Sequence, residues 1–222
     1  MRDRRSGIQI KICGLTRVEE ALACARLGAD AIGFIFYPKS PRNLSEETAR
    51  EISLTLPPEV KTVGVFVDER FSTIMRKAER CRLDGVQLHG REPSELAERL
   101  CRENLLVIKA LFMDGDPSFE RISDYDVSAY LVECGRGPLP GGNAMTWNWE
   151  AAKGLSPDRP LILAGGLAPQ NVSEAIAAGM PDAVDVSSGV ERSPGIKDLK
   201  KVATLIEAVS GARTKKKTKK VF

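Results

Sequence analysis

Short apolar runs alternate with amphipathic stretches eight times along this chain. The runs Ile8–Cys13, Ala31–Phe36, Thr62–Val67, Gly85–His89, Leu105–Phe112, Ala129–Glu133, Leu161–Ala164 and Ala183–Ser187 have the length and apolar character of strands buried on both faces. Between them, apolar residues recur three or four positions apart over Arg17–Leu27, Glu46–Leu56, Phe71–Cys81, Pro93–Arg102, Pro169–Ala178 and Ile196–Val209, which predicts helices. The stretches near Pro117–Ser123 and Trp149–Lys153 are expected to be short. Thr16, Ser45 and Ser94 each stand beside acidic residues, the pattern of a capping hydroxyl followed by a first turn that favours negative charge. A strand-to-strand spacing of about 25 residues matches a βα repeat at the lower end of (β/α)8 barrel lengths. An open doubly wound sheet shares the alternation. Eight units favour a single (β/α)8 TIM barrel of the α/β class.

A length of 222 residues suits one buried core, expected over residues 1–211. No apolar run approaches the roughly 18 residues that span a bilayer, and Met1 to Gly7 lead into a strand without a signal-type apolar segment. A cytoplasmic protein without a membrane partner is expected. Of the 33 Lys and Arg residues, six fall between Arg213 and Phe222, so the rest of the chain carries three more acidic than basic side chains. That balance argues against a nucleic-acid-binding surface on the body. The Lys-rich run itself, residues 212–222, is expected to be a disordered, solvated tail. The five cysteines lack the spacing of a disulfide framework or a metal site. Cys24, Cys81 and Cys101 fall in helical patterns and are expected to be buried as small apolar residues.

In a barrel of this kind, polar residues at the C-terminal ends of strands are the candidates for chemistry. Those ends hold Cys13, Asp68, His89, Glu133, Gly165-Gly166 and Asp185 with Ser187-Ser188-Gly189, and Arg42 follows the second strand. The last two βα turns are rich in glycine. Backbone N–H groups at such turns, opening into helices, form an anion cradle, and loops seven and eight of a barrel are where a phosphate is commonly held. Gly165, Gly166, Ser188 and Gly189 are therefore the candidate phosphate-binding residues.

Six ordered motifs then point to a family. Lys11-Ile-Cys-Gly-Leu-Thr16, Gly33 through Arg42, Val63-Gly-Val-Phe-Val-Asp68, Val86-Gln-Leu-His-Gly90, Leu163-Ala-Gly-Gly-Leu167 with Asn171-Val172, and Val184 through Glu191 followed by Pro194-Gly195 and Lys197-Asp198 resemble phosphoribosylanthranilate isomerase over about Ile8 to Val209. The resemblance implies a cofactor-free Amadori rearrangement of a small sugar phosphate, N-(5-phosphoribosyl)anthranilate, to the 1-deoxyribulose 5-phosphate ketosamine, in a monomer or homodimer. It further implies Cys13 as general base and Arg42 on the anthranilate carboxylate, with no metal. His89, the only histidine, is read as a support near the sugar or as a satisfied structural histidine, and Asp185 as a partner of a sugar hydroxyl, an orienting group or a cap of the next loop. An electropositive mouth is expected to help populate the Cys13 thiolate.

Strand six departs from the family pattern. The family usually ends it Leu-Leu-Asp, that aspartate being the general acid, and continues Gly-Gly-Thr-Gly-Lys-Thr-Phe-Asp-Trp. This chain reads Leu131-Val-Glu133 and then Gly141-Gly-Asn-Ala-Met-Thr-Trp-Asn-Trp149. Glu133 keeps the carboxylic acid on a longer arm and is the candidate general acid. Trp147 and Trp149 are expected to pack rather than line a pocket. The altered segment Asn143–Met145 leaves open a related sugar-phosphate isomerase with a shifted substrate, and the change of the acid leaves open a non-catalytic phosphometabolite-binding or scaffold barrel. A phosphate-binding module needs neither Cys13 nor Arg42, which argues against the second.

Overall fold

In the computed structural model, which describes residues 7–135, 145–156, 158–212, 214 and 216–222, eight parallel strands close on themselves. They are β1 (Gln9–Cys13), β2 (Ala31–Ile35), β3 (Lys61–Phe66), β4 (Gly85–Leu88), β5 (Leu106–Phe112), β6 (Ala129–Glu133), β7 (Leu161–Leu163) and β8 (Ala183–Val186). Closure is made by β1, which pairs Ile12 with Ile32 of β2 on one side and Lys11 with Asp185 of β8 on the other. The open-sheet alternative is thereby excluded. Helices α1 (Val18–Leu27), α2 (Glu46–Thr55), α3 (Phe71–Cys81), α4 (Ser94–Cys101), α5 (Val172–Gly179) and α6 (Leu199–Gly211) surround the barrel. Short 3-10 helices, Phe119–Asp124 and Trp149–Ala152, stand where the two short helices were expected. No helix among the described residues is long and apolar enough to cross a membrane.

The period of two along each strand sorts side chains into two layers. On β1, Ile10 and Ile12 join the apolar layer under the helices, with Ile32, Val86, Leu205 and Ile206. Lys11 and Cys13, in the alternate positions, face the lumen. The lumen is filled by a second cluster that includes Ala31, Val63, Ile108, Ala129, Leu131, Ile162 and Ala183.

Several boundaries differ from the sequence expectation for identifiable reasons. Ser45 caps α2, its hydroxyl accepting from the Thr48 amide. Thr16 and Ser94 do not cap: Thr16 Oγ1 donates to Gly195 O, 2.7 Å away, and Ser94 is already the first residue of α4, behind Pro93. Helix α5 starts at Val172 because Asn171 ties down the preceding turn, accepting from the Ala168 amide and donating to Gly166 O. Ile196 and Lys197 form not helix but a short strand, β10 (Ile196–Lys197), antiparallel to β9 (Glu191–Ser193), and Asp198 then caps α6. Cys24 and Cys81 are buried, whereas Cys101 is half-buried.

The largest correction concerns the tail. Its described residues are Ala212, Thr214 and Lys216 to Phe222, and the last of them run across the N-terminal end of the barrel. Val221 and Phe222 are buried in the lumen cluster. Gln9 holds them, its Oε1 accepting from the Val221 amide (2.6 Å) and the Phe222 amide (3.1 Å) and its Nε2 donating to Phe222 O (3.1 Å). Fully buried Asp182 takes the Lys219 amide on Oδ1 and the Lys216 ammonium on Oδ2, each at 2.8 Å. The basic run suggested solvation, but it ends in two apolar residues whose burial stabilises by about 1.5–3 kcal/mol for a large side chain, and one of its lysines answers a buried carboxylate.

Candidate active site

Cys13 ends β1 at 6% exposure, beside Lys11. Room for both comes from Gly33 on the adjacent strand: a Cβ there would stand 2.7 Å from Cys13 Sγ and 3.1 Å from Lys11 Cε. Lys11 Nζ donates to Asp185 Oδ2 at 2.7 Å. Burial disfavours the Lys11 charge, but Asp185 and Cys13 outweigh it and hold the ammonium above its ordinary range. Burial pushes the Cys13 thiol up; Lys11 opposes the rise, Asp185 adds to it, and Lys197 opposes it again, with a net upward shift. The expected easing of thiolate formation is therefore outweighed: Lys11 and Lys197 do favour the thiolate, but burial, helped by Asp185, raises the thiol by more.

Arg42 is also buried, and its Nε and Nη2 form a two-point contact with Glu191 Oε1 and Oε2, each 2.8 Å. That fork was expected to face a ligand carboxylate; Glu191 takes two of its donor nitrogens and leaves Nη1. Lys197 Nζ shares Glu191 Oε1 at 2.9 Å. Burial holds Lys197 below the ordinary ammonium range despite Glu191, while Arg42 and Lys197 together outweigh burial and lower the Glu191 carboxyl. An ion network at this depth is costly to assemble and costlier to break, about 3–5 kcal/mol when one partner is removed.

Across the mouth, Glu133 ends β6 at 6% exposure. Its Oε1 lies 2.9 Å from His89 Nε2, and His89 Nδ1 lies 2.9 Å from Gln87 Nε2. The Phe112 ring packs edge-on against the imidazole, centroids 5.6 Å apart. His89 was expected near the sugar. Both of its nitrogens are within hydrogen-bond reach of protein groups, as in a satisfied structural histidine, and one of those groups is the Glu133 carboxyl.

The cradle residues follow β7 and β8. Gly165 and Gly166 have φ of 83° and 66°, left-handed values that favour glycine. Gly189 lies so close to Leu167 O that any Cβ would collide with it. Among the described residues no carbonyl takes the amide hydrogens of Gly166 or Gly189. Asp185 Oδ1 and Ser187 Oγ, at the same end of β8, are buried without a hydrogen-bond partner among the described residues. Buried polar atoms of this kind are uncommon, since each forfeits about 1–3 kcal/mol until something pairs with it. Trp147 and Trp149 donate to Ala164 O (2.9 Å) and Gly165 O (3.4 Å), and Trp147 packs edge-on against Phe119. Both brace the end of β7, in keeping with a packing role. Asn143 and Ala144 lie outside the described residues; Met145 is exposed.

Sequence reasoning missed Lys11, Gln87, Glu191 and Lys197 as members of this site. For the first two a signal was present, because a polar side chain two residues before a strand-end candidate points into the same lumen. Glu191 and Lys197 meet only through the β9–β10 hairpin, which no periodicity announced.

The model of the family described as N-(5'phosphoribosyl)anthranilate (PRA) isomerase matches residues 10–208. The chain is 50% identical over 215 residues to the N-(5'-phosphoribosyl)anthranilate isomerase of Desulfatibacillum aliphaticivorans, covering 97% of this chain and 99% of that one. The crystal structure of phosphoribosyl anthranilate isomerase from Thermus thermophilus superposes with a TM-score of 0.84 at 40% identity, over 93% of this chain and 100% of that one. A second crystal structure, of a phosphoribosyl anthranilate isomerase in complex with reduced 1-(o-carboxyphenylamino)-1-deoxyribulose 5-phosphate, gives 0.81 at 42% identity over 92% and 99%.

Proposed function

The chain belongs to the phosphoribosylanthranilate isomerase family and is an isomerase of tryptophan biosynthesis, and we propose that Glu133 and Cys13 supply its acid and its base. The supporting observation is their placement: both are buried at the C-terminal ends of strands, with β7 and β8, whose loops carry the phosphate-cradle amides, between them. A sugar phosphate held by the amides of Gly165, Gly166, Ser188 and Gly189 lies between a proton donor and a proton acceptor.

Glu133 delivers its proton to the ribose ring oxygen. The bond from C1′ to that oxygen breaks, and the nitrogen lone pair forms the C1′=N iminium. The Cys13 thiolate then removes the C2′ proton, and the electron pair moves into C1′–C2′ and neutralises the nitrogen. Tautomerisation of the resulting enol amine places a hydrogen on C1′ and a ketone at C2′, so atoms and electrons balance as an isomerisation. Lys11 and Lys197 supply the positive potential that a thiolate needs in a buried site. Asp185 Oδ1 accepts from a sugar hydroxyl, and Arg42 offers Nη1 to the anthranilate carboxylate. Assembly as a monomer or homodimer in the cytoplasm completes the reading, in keeping with five free cysteines and no membrane-crossing helix among the described residues.

The test is the loss of anthranilate fluorescence on adding freshly generated phosphoribosylanthranilate, in chelator and without added cofactor. Enzyme-dependent loss is expected. A constant signal, with the same substrate consumed by a known isomerase, would sink the reading.

A further inference from the structure

The geometry points to Gln87 as a positioning residue that sets the tautomer of His89 and, through it, decides which oxygen of Glu133 carries the proton. The inference rests on the reading of Glu133 as the acid, and its chemistry begins two residues before the histidine. Gln87 is on β4 and His89 follows directly after its end, and the chain Gln87–His89–Glu133 is formed by two contacts of 2.9 Å between groups that are all buried.

An imidazole has one N–H when neutral, so only one of these contacts receives a proton from the ring. Turned with its oxygen toward Nδ1, the Gln87 amide would draw the ring proton there and set the bare lone pair of Nε2 against Glu133 Oε1. That arrangement clashes electrostatically unless the carboxyl proton itself points at the histidine, which removes it from the ligand. Turned as in this structure, the Gln87 amide nitrogen donates to a bare Nδ1, and Nε2–H donates to Glu133 Oε1. Oε1 is then an acceptor only. The acidic proton rides on Oε2, which has no hydrogen-bond partner among the described residues. Donation from His89 also favours the carboxylate left after proton transfer, which assists ring opening.

A cost is visible at the far end of the chain. Gln87 Oε1 is buried without a hydrogen-bond partner among the described residues. An amide placed only for shape would be replaceable by an apolar side chain without loss; this one keeps an unpaired oxygen while its nitrogen engages the histidine.

His89 is the only histidine of the chain, so its two ring nitrogens give an unobstructed long-range 1H–15N correlation spectrum. At pH 8, where an ordinary imidazole is neutral, the spectrum of the wild-type protein is expected to show Nε2 protonated and Nδ1 bare. An Nδ1–H tautomer or an imidazolium would overturn the inference. Gln87→Glu presents a carboxylate to Nδ1 and is expected to protonate that nitrogen, lowering kcat at least tenfold with KM within twofold. Gln87→Met, which keeps the length and loses the donor, should give a mixture of tautomers and a smaller loss. Unchanged kcat in a folded Gln87→Glu protein whose Nδ1 has become protonated would remove the link between tautomer and turnover. The spectrum is independent of whether Glu133 is the acid, whereas full turnover in Glu133→Gln would sink that role and leave the tautomer assignment standing.

Discussion

At the C-terminal mouth of the barrel, Lys11–Asp185, Arg42–Glu191–Lys197 and Gln87–His89–Glu133 are buried ionic and polar groups that satisfy one another only in part. At the N-terminal base, Val221 and Phe222 fill the lumen against Ala31, Val63 and Ala183, and their amides are taken by Gln9. One end keeps polar atoms such as Asp185 Oδ1 and Ser187 Oγ without partners, and the other assigns a partner to the polar groups it buries around the tail. The contrast separates the energetic tasks: the base contributes apolar burial, and the mouth forgoes some of it to hold charge. Substitutions at the mouth outside the Arg42–Glu191–Lys197 network should then act on turnover, and substitutions at the base on stability.

Cys13→Ser is the strongest test of the mouth. It preserves size while removing a base that ionises far more readily than a hydroxyl, so kcat should fall by at least two orders of magnitude with little change in melting temperature. Because the thiol is held above its ordinary range, thiolate absorbance present in wild type and absent from the Ser variant should emerge only at a pH above that of an ordinary cysteine. Absorbance already present at pH 7 would mean that Lys11 outweighs burial.

Glu133→Gln keeps the shape and removes the transferable proton, and a loss of about 100-fold or more in kcat is expected. Near-normal turnover would exclude Glu133 as the acid. Glu133→Asp withdraws the carboxyl by about an ångström, a displacement that can itself cost up to 100-fold in a positioned site. Since Oε1 is in hydrogen-bond contact with His89, the shorter acid should be slower, by several-fold, although it is the usual residue of the family.

For the phosphate cradle, Ser188→Asp is a cleaner probe than a change at Gly166 or Gly189. A Cβ at Gly166 would stand 2.6 Å from Thr146 N, and one at Gly189 would collide with Leu167 O. A negative side chain at 188 should raise KM and weaken the reduced product analogue at least tenfold, as measured by calorimetry, with the fold intact. Unaltered affinity would remove the cradle assignment.

The base gives the smallest effect on rate and the clearest on stability. Truncation after Ala212 should leave kcat and KM unchanged and lower the melting temperature by roughly 4–8 °C, the equivalent of about 2 kcal/mol for a chain of this size. Unchanged melting would show that the tail contributes nothing net, and an equal fall in kcat would break the division between the two ends.

The barrel was legible because its signal is repeated: each strand is a short run buried on both faces, so small errors at Ile8 or Phe36 did not disturb the count. Cys13, Glu133 and Asp185 were legible as polar residues at strand ends. What the sequence did not disclose depends on partners remote in the chain. Arg42 meets a carboxylate 149 positions away, and the engagement of Lys11 by Asp185 spans 174. The tail misled for a related reason. Its composition reports on charge alone, while its placement depends on Asp182 and Gln9, which nothing local singles out.

The contact from Gln9 to Phe222 spans 213 residues of chain. Strand β1 is synthesised early, yet one of its edges waits for β8 and its base waits for the tail. At about 5–20 residues per second, ribosomal synthesis leaves that interval at roughly 10–40 s, during which an apolar strand edge is open to other chains. Strand β8 covers that edge, and Val221 and Phe222 close the lumen beneath it. Aggregation during expression should therefore track how soon β8 pairs with β1 more closely than it tracks the stability of the finished barrel.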